Sequence, residues 1–374
     1  MTASTSCSAA DMFCGRAMSP ITALAVLVVA CPCALGIATP MATTIAMARA
    51  ARRGTLLRSG AVLEALAGVR KVAFDKTGTV TLGRPVVQRL RLLDAADTTG
   101  ADAWAIAAAV ELGVDHPFAR AIVERARGDG IEIPPAQNTR AIPGGGAQAT
   151  LAGRSVILGS ERVLAAAGIL GPWPAQADGA SRVGLAVDGR LLAQIELRDP
   201  ARAEAAAAVA DLGSLGVAVA LLSGDRPAAV DAVAREAGFV AAEGGLTPLG
   251  KAERVRLMAE GGSTVAMVGD GINDAPALAA ATVGIAFGAA TDLARATSDV
   301  VLLREDLREV PKLIALARRT LRIVRQNLAW AIGYNSLGIV VAALGWLRPV
   351  VAAAAMVTSS LFVVGNSLRL TRPD

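Results

Sequence analysis

Asp75 closes a short apolar run in "KVAFDKTGTVTLG", residues 71–83, and is followed by Lys76, Thr77, Gly78 and Thr79. A carboxylate at the mouth of a buried strand can attack a phosphate group and form an aspartyl phosphate, provided that cations neutralise the repelling oxygens. Complementary groups stand elsewhere in the chain. Ser223-Gly224-Asp225 ends "VAVALLSGD", Lys251 follows, and Asp270, Asn273 and Asp274 lie in "VGDGINDAPAL" at 268–278. Asp270 and Asp274, with Asp75, offer hard oxygen ligands suited to Mg2+. Lys251 would bring positive charge to a phosphoryl group, and Ser223 or Thr77 would donate hydrogen bonds to its oxygens. Taken singly, each carboxylate reads as a helix cap or a turn residue. Thr77 adds a distinction. A second carboxylate there would act as general acid and base and hydrolyse the aspartyl phosphate quickly, which a threonine cannot do.

These residues need a frame that brings them together. The stretches 69–75, 217–225 and 263–271 read as buried parallel strands ending in Asp or a small polar residue, with Ala-rich helical segments such as "PARAEAAAAVADLGSLG" between them. That is a doubly wound α/β pattern, whose ligands bind at the carboxyl ends of the strands. The expected sheet domain covers 49–84 and 190–320, and the change of pattern over 85–189 predicts an inserted α+β domain. Lysine is scarce: only Lys71, Lys76, Lys251 and Lys312 occur, and two of these fall in the expected phosphate site.

The chain of 374 residues is 53% hydrophobic and only 18% charged, which calls for a membrane component. Residues 17–48, 328–347 and 349–368 contain no Asp, Glu, Lys or Arg, and each is long enough for a bilayer core of roughly 30 Å. Three transmembrane helices are therefore expected, after a short flank at 1–16. Arg49, Arg52, Arg53 and Arg58 follow the first span, Arg318, Arg319, Arg322 and Arg325 precede the second, and Arg369 and Arg372 follow the third. By the positive-inside rule the central region is cytosolic. These clusters account for the net charge of +5 without nucleic acid, for which no binding motif is present. Residues 1–30 do not read as a cleavable signal. Cys7 and Cys14 are spaced too widely for a Cys-x-x-Cys motif and stay unassigned.

The run Asp75-Lys76-Thr77-Gly78-Thr79, followed by Ser223-Gly224-Asp225, Lys251 and "VGDGINDAPAL", resembles the phosphorylation domain of the P-type ATPases, which are haloacid-dehalogenase-like proteins. Cys31-Pro32-Cys33 in a span narrows the resemblance to the heavy-metal-transporting branch. The resemblance implies ATP as substrate, Mg2+ as cofactor and Asp75 as the phosphorylated residue, with a phosphoenzyme long-lived enough to drive a conformational change. It also implies that the inserted domain binds the nucleotide. "VELGVDHPFARAIV" at 110–123 resembles the family's Ser-Glu-His-Pro motif, with Glu111, His116 and Pro117, although Val114 and Asp115 replace Ser-Glu. A lone histidine is more often a cap or a core residue than a ligand contact. Gly144, Gly146 and Gly159 would let backbone approach the nucleotide, with Ser160 where the family usually has Asn.

Within the spans, Pro32 would open the helix so that Cys31 and Cys33 point inward. Tyr334 and Asn335 resemble the family's Tyr-Asn pair, and Met356, Ser359 and Ser360 its Met-x-x-Ser-Ser. Thiolate and thioether sulfur suit a soft monovalent ion, Cu(I) or Ag(I). The family's actuator domain carries a Thr-Gly-Glu loop, a tripeptide that this sequence lacks. The sequence thus resembles the carboxyl-terminal half of a copper exporter of the bacterial plasma membrane, either a fragment or truncated gene product, or one half of a pump whose other half is supplied by a separate chain. The alternative is a transport-incompetent, membrane-anchored fragment that binds metal and ATP.

Overall fold

A computed structural model of the chain describes residues 20–29, 33–93, 98–143, 145–173, 180–270, 274–288 and 296–372. It divides into two units. One gathers the described residues up to Arg53, then Leu57–Ala67 and Ile314 onward; the other holds Gly54–Leu56 and Gly68–Leu313.

In chain order, helices α1 (Pro20–Val29) and α2 (Cys33–Arg52) precede strand β1 (Thr55–Leu57), helix α3 (Gly60–Ala67) and strand β2 (Val69–Asp75). After β2 come β3 (Val86–Leu92), α4 (Gly100–Glu111), α5 (Pro117–Gly128), β4 (Gln137–Ile142), β5 (Gly146–Leu151), β6 (Arg154–Gly159), α6 (Glu161–Ala166), β7 (Ser181–Val187) and β8 (Arg190–Arg198). The chain then alternates through α7 (Ala205–Ser214), β9 (Ala218–Leu222), α8 (Pro227–Ala237), β10 (Ala241–Glu243), α9 (Pro248–Ala259), β11 (Thr264–Gly269), α10 (Ala275–Ala280), β12 (Val283–Phe287) and β13 (Val300–Leu302). It ends in α11 (Glu309–Ala343) and α12 (Pro349–Leu368).

The seven-stranded sheet has the order β1-β13-β12-β11-β2-β9-β10. The pairs β10–β9, β9–β2, β2–β11, β11–β12 and β12–β13 are all parallel. Such strands have both faces covered, hence the continuous apolar runs: every residue of β12 is buried, as are Val265, Ala266, Met267, Val268 and Gly269 of β11. The three strands expected from sequence, β9, β2 and β11, lie side by side at its centre. Asp75 pairs with Leu222 and Phe74 with Val268, so Ser223 and Asp270 follow at the same edge as Asp75.

The inserted domain is a six-stranded antiparallel sheet, β3-β8-β7-β6-β5-β4, with α4 and α5 packed on it. Its core gathers Trp104, Val110 and Ile122 from the helices with Leu158, Leu185 and Ile195 from the strands. The boundary expected at 189 falls inside a hairpin and is corrected: β8 pairs with both β7 and β3, so the insertion runs through Arg198. Asp188 and Gly189 have φ of 47° and 80°. Positive φ at both central residues is the geometry of a two-residue hairpin turn, so this Asp-Gly joins strands instead of separating domains.

In the smaller unit, Ala38, Ala42, Ala46 and Ala50 form a buried i, i+4 stripe on α2. Small side chains let helices approach closely where lipid, not water, surrounds them. Ala38 meets Ala331 of α11 and Val363 of α12. Among the described residues one helix, Pro349–Thr371, is long and apolar enough by length and composition to cross a membrane, with a mean hydropathy of 1.6. The other two expected spans are seen differently. Residues 30–32 lie outside the described set, which leaves the first as α1 and α2. The second is the distal part of the 35-residue α11, where Gln326, Asn327, Tyr334 and Asn335 dilute the apolar run, and the helix stops at Ala343 before Gly345 (φ 76°).

Candidate active site

Strand β2 delivers Asp75 to the sheet edge, and the chain then turns sharply. Thr77 is extended (φ −79°, ψ 123°) and Gly78 left-handed (φ 76°). A side chain at Gly78 would be strained, and its Cβ would lie 2.8 Å from Asp270 Oδ2, so glycine lets the loop after β2 close against the loop after β11. A cavity of about 1080 Å3 opens there. Asp75, Thr77 and Gly78 line it with Ser223, Gly224, Asp225, Lys251, Asp270 and Asp274, which brings nine of the residues singled out in the sequence to one place.

Lys251 comes from α9. Its ammonium donates to Asp75 Oδ1 and, at 2.7 Å, to Asp274 Oδ1; all three side chains are at most 7% exposed. Burial, with the Asp274 carboxylate second, pushes the Asp75 carboxyl up to about 7 against the pull of Lys251. Burial pulls the Lys251 ammonium down, but Asp75 and Asp274 outweigh it and hold it above the ordinary lysine range. The edge is short of positive charge and receptive to more.

Lys76 does not face the cavity. Its buried ammonium pairs with Asp225 and so ties the β2 loop to the loop after β9. Ser223 accepts a hydrogen bond from Asp225 N–H at 3.1 Å, leaving its own hydroxyl hydrogen free to donate. Thr79 is fully buried and its hydroxyl has no protein partner among the described residues.

The Mg2+ site is not assembled as the sequence implied. Among the described residues no group of three His, Cys, Asp or Glu side chains is gathered closely enough to hold a metal ion, because the Lys251 ammonium stands between Asp75 and Asp274. Asn273 lies outside the described residues. The donor set still fits Mg2+, which takes one or two carboxylates and completes its shell with water and substrate phosphate.

Four contributors were not legible in the sequence: Thr81, Asp199, Arg202 and Glu305. Arg202 donates to Thr79 O at 2.9 Å and to Glu305 Oε2 at 3.1 Å, and its guanidinium lies 5.0 Å from the Phe287 ring centroid. Thr81 donates to Asp199 Oδ2 at 2.6 Å. The Asp199-Pro200 step is the only local signal, a turn former at the point where the chain leaves the inserted sheet.

A second cavity, about 980 Å3, lies in the inserted domain. Glu111, His116 and Gly146 line it. Glu111 is 6% exposed, and burial pushes its carboxyl up to about 7. His116 is both cap and lining residue: its Nδ1 accepts from Phe118 N–H at 3.1 Å, which leaves the proton on Nε2. Burial, then Arg120, lower its basicity against the pull of Asp115, which favours the neutral ring. Pro117 lines the first cavity instead, and Gly144 lies outside the described residues. Gly159 lines neither. It pairs with Gly146, and a Cβ on it would meet Val163 Cγ1 at 2.9 Å, so its glycine is needed for packing.

Of the residues implied for the transported ion, Cys31 lies outside the described residues and Cys33 opens α2, its side chain not described. Tyr334, Asn335 and Met356 are half-buried and Ser359 is buried. Trp330 Nε1 donates to Ser359 Oγ at 3.1 Å, joining α11 to α12. Tyr334 lies four residues beyond Trp330 and Met356 three before Ser359.

A parallel sheet that presents a buried aspartate, a lysine on it and a hydroxyl beside it defines a phosphate-handling hydrolase fold. Residues 69–282 match the haloacid dehalogenase-like hydrolases. The chain belongs to that family. It is also 42% identical over 367 residues to Copper-transporting ATPase 1 of Rhizobium meliloti (strain 1021), covering 94% of this chain and 44% of the relative. It is 40% identical to the Copper-exporting P-type ATPase of Bacillus subtilis (strain 168), covering 93% and 44%. The chain thus spans less than half the length of these relatives. Among solved structures, a zinc-transporting PIB-type ATPase in its E2.Pi state superposes with a TM-score of 0.79 at 38% identity, over 94% of this chain and 58% of that one. The catalytic domain of the CPx-ATPase CopB-B superposes with a TM-score of 0.61 at 25% identity, over 72% and 98%.

Proposed function

We propose that this chain carries the catalytic and ion-binding part of an ATP-driven exporter of a soft monovalent metal ion, Cu(I) or the chemically similar Ag(I), in the bacterial plasma membrane with its catalytic unit cytosolic. Asp75 attacks the γ-phosphate of ATP, a phosphorus–oxygen bond forms to Asp75 as that to ADP breaks, and ADP leaves with the electron pair. The reading rests above all on Asp75 itself, 4% exposed at the end of the central strand, with Lys251 bonded to it and Thr77 where a hydrolytic base would stand. Bound Mg2+, held by one or two of Asp75, Asp270 and Asp274 with water and substrate phosphate completing its shell, would neutralise phosphate charge. Lys251 and the Ser223 hydroxyl orient the transferred group, and Glu111 and His116 hold the base of the nucleotide. Because Thr77 cannot activate water, release of the phosphate calls for a carboxylate from elsewhere.

Copper identity is supported by the copper-transporting relatives and by spans that offer Cys, Met and Ser with no charged residue; the zinc-transporting structural neighbour makes zinc the control. The test is acid-stable, hydroxylamine-sensitive phosphate incorporation from labelled ATP into membranes holding the chain, with Cu(I), Zn2+ or chelator. Cu(I)-dependent label that disappears in Asp75→Asn is expected. Label that survives Asp75→Asn, or that follows zinc, would overturn the reading.

A further inference from the structure

Two short stretches of chain border both cavities. At the start of α5, His116 and Phe118 line the cavity of the inserted domain, while Pro117 and Arg120 line the Asp75 cavity. After β9, Asp225 lines the Asp75 cavity and the next residue, Arg226, lines the other. No other segment supplies consecutive described residues to both. A nucleotide whose base sits by Glu111 and His116 and whose terminal phosphate reaches Asp75 must therefore run its polyphosphate between these stretches, and each carries an arginine.

Charge points the same way. The polyphosphate of ATP brings about four negative charges toward a cavity already lined by Asp75, Glu124, Asp225, Asp270, Asp274 and Glu305. Lys251 is engaged by Asp75 and Asp274, and Arg202 by Glu305, while Arg84 lies on the loop after β2, away from the two stretches that border both cavities. Arg226 is exposed at the N-cap of α8, and its guanidinium makes no hydrogen bond or ion pair among the described residues. Arg120 has one ionic partner among the described residues, Asp115 at 3.7 Å, and both side chains are open to solvent, so that pair holds it weakly. Two guanidinium groups at the seam, one from each domain, have the fork geometry that matches phosphate oxygens.

We infer that Arg120 and Arg226 form a phosphate clamp that grips the polyphosphate of ATP between the two cavities and couples nucleotide binding to approach of the two domains; this rests on the ATP reading given above. Neither residue touches the reacting phosphorus. Both are positioning residues, and their signature is dependence on phosphate number. The test is competition binding of ATP, ADP and adenosine to the full chain in nanodiscs, for wild type, Arg120→Ala, Arg226→Ala and Arg226→Lys. Each alanine variant is expected to weaken ATP about tenfold, ADP less, and adenosine by under about twofold, with Arg226→Lys restoring part of the loss. Equal weakening of ATP and adenosine, or no change in either, would overturn the clamp while leaving the nucleotide cavity standing. Failure of wild type to bind any of the three would overturn the ATP reading and the clamp together.

Discussion

Lys251 Nζ lies 2.7 Å from Asp274 Oδ1 and bonds Asp75 with the same nitrogen, so one ammonium from α9 holds together carboxylates that arrive from β2 and from the start of α10. Removing it leaves two buried carboxylates facing each other without compensation, which costs about 3–5 kcal/mol. Lys251→Met is expected to lower the melting temperature of the catalytic unit and to cut phosphate incorporation at least about a hundredfold. Incorporation within about threefold of wild type would remove Lys251 from the phosphate site.

Gly78 carries the second prediction. Gly78→Ala imposes a left-handed conformation on a residue with a Cβ, at roughly 1–2 kcal/mol, and drives that Cβ to within 2.8 Å of Asp270. The loops after β2 and β11 must separate. Phosphorylation should fall at least about tenfold while nucleotide competition, read in the inserted domain, stays within about twofold. A variant with normal labelling would show that the two loops need not touch.

Much of this site is legible because buried parallel strands announce themselves as apolar runs, and their ends then mark the ligand edge: "VRKVAFD", "VAVALLSGD" and "STVAMVGDG" hold neighbouring strands, and Asp75, Ser223 and Asp270 follow from that alone. What register and packing decide is not legible. Strand β8 was hidden because its Asp-Gly turn reads equally as a linker. Lys76 sits inside the motif, yet only the fold shows that its charge goes to Asp225. Arg202 belongs to the site by a long-range contact to Thr79 O, in a segment whose composition speaks only of helix. Glycine also conceals two causes: Gly146 lines the cavity of the inserted domain, and both it and its cross-strand partner Gly159 are small because Val163 stands over them, its Cγ1 3.0 and 2.9 Å from where a Cβ would lie.

Arg202 yields a third prediction. The residue is 8% exposed, and its guanidinium lies against Phe287 and satisfies the carbonyl of Thr79. Arg202→Met keeps most of the volume and deprives that carbonyl of its partner, a cost of about 1–3 kcal/mol. Because the carbonyl belongs to the loop that sets Asp75, labelling should fall about tenfold at saturating ATP with ATP affinity nearly unchanged. A loss confined to affinity would mean that Arg202 serves the nucleotide and not the loop.

Glu111 gives the pH dependence. Burial raises its carboxyl from 4.5 to about 7, so between those values the folded protein holds a proton that the unfolded chain has released. Stability from this group is therefore present at and below pH 4.5 and is lost as pH climbs to 7, by up to about 3 kcal/mol. Glu111→Gln cannot ionise. Its melting temperature should match wild type near pH 5 and exceed it near pH 8; a gap that shrinks with rising pH would show that Glu111 is stabilised as a carboxylate.

Trp330 and Ser359 carry the last prediction. Their hydrogen bond ties α11 to α12 at 3.1 Å, and the Trp330 ring lies 4.4 Å from that of Phe362, so the indole is held from two sides. In antiparallel helices a step of four residues from Trp330 to Tyr334 and a step of three back from Ser359 to Met356 run in the same direction, by roughly 6 and 4.5 Å. If Tyr334 and Met356 act at a shared level on the transported ion, this bond sets their alignment. Interhelical bonds of this kind are worth about 0.6 kcal/mol on average, so Trp330→Phe should lower thermal stability in detergent only slightly. Its effect on Cu(I)-dependent labelling should be larger, a rise of about tenfold in the metal concentration for half-maximal label, with Ser359→Ala giving the same shift and the double variant adding little. Two independent, additive shifts would mean that each residue meets the ion separately and that the bond between them aligns nothing.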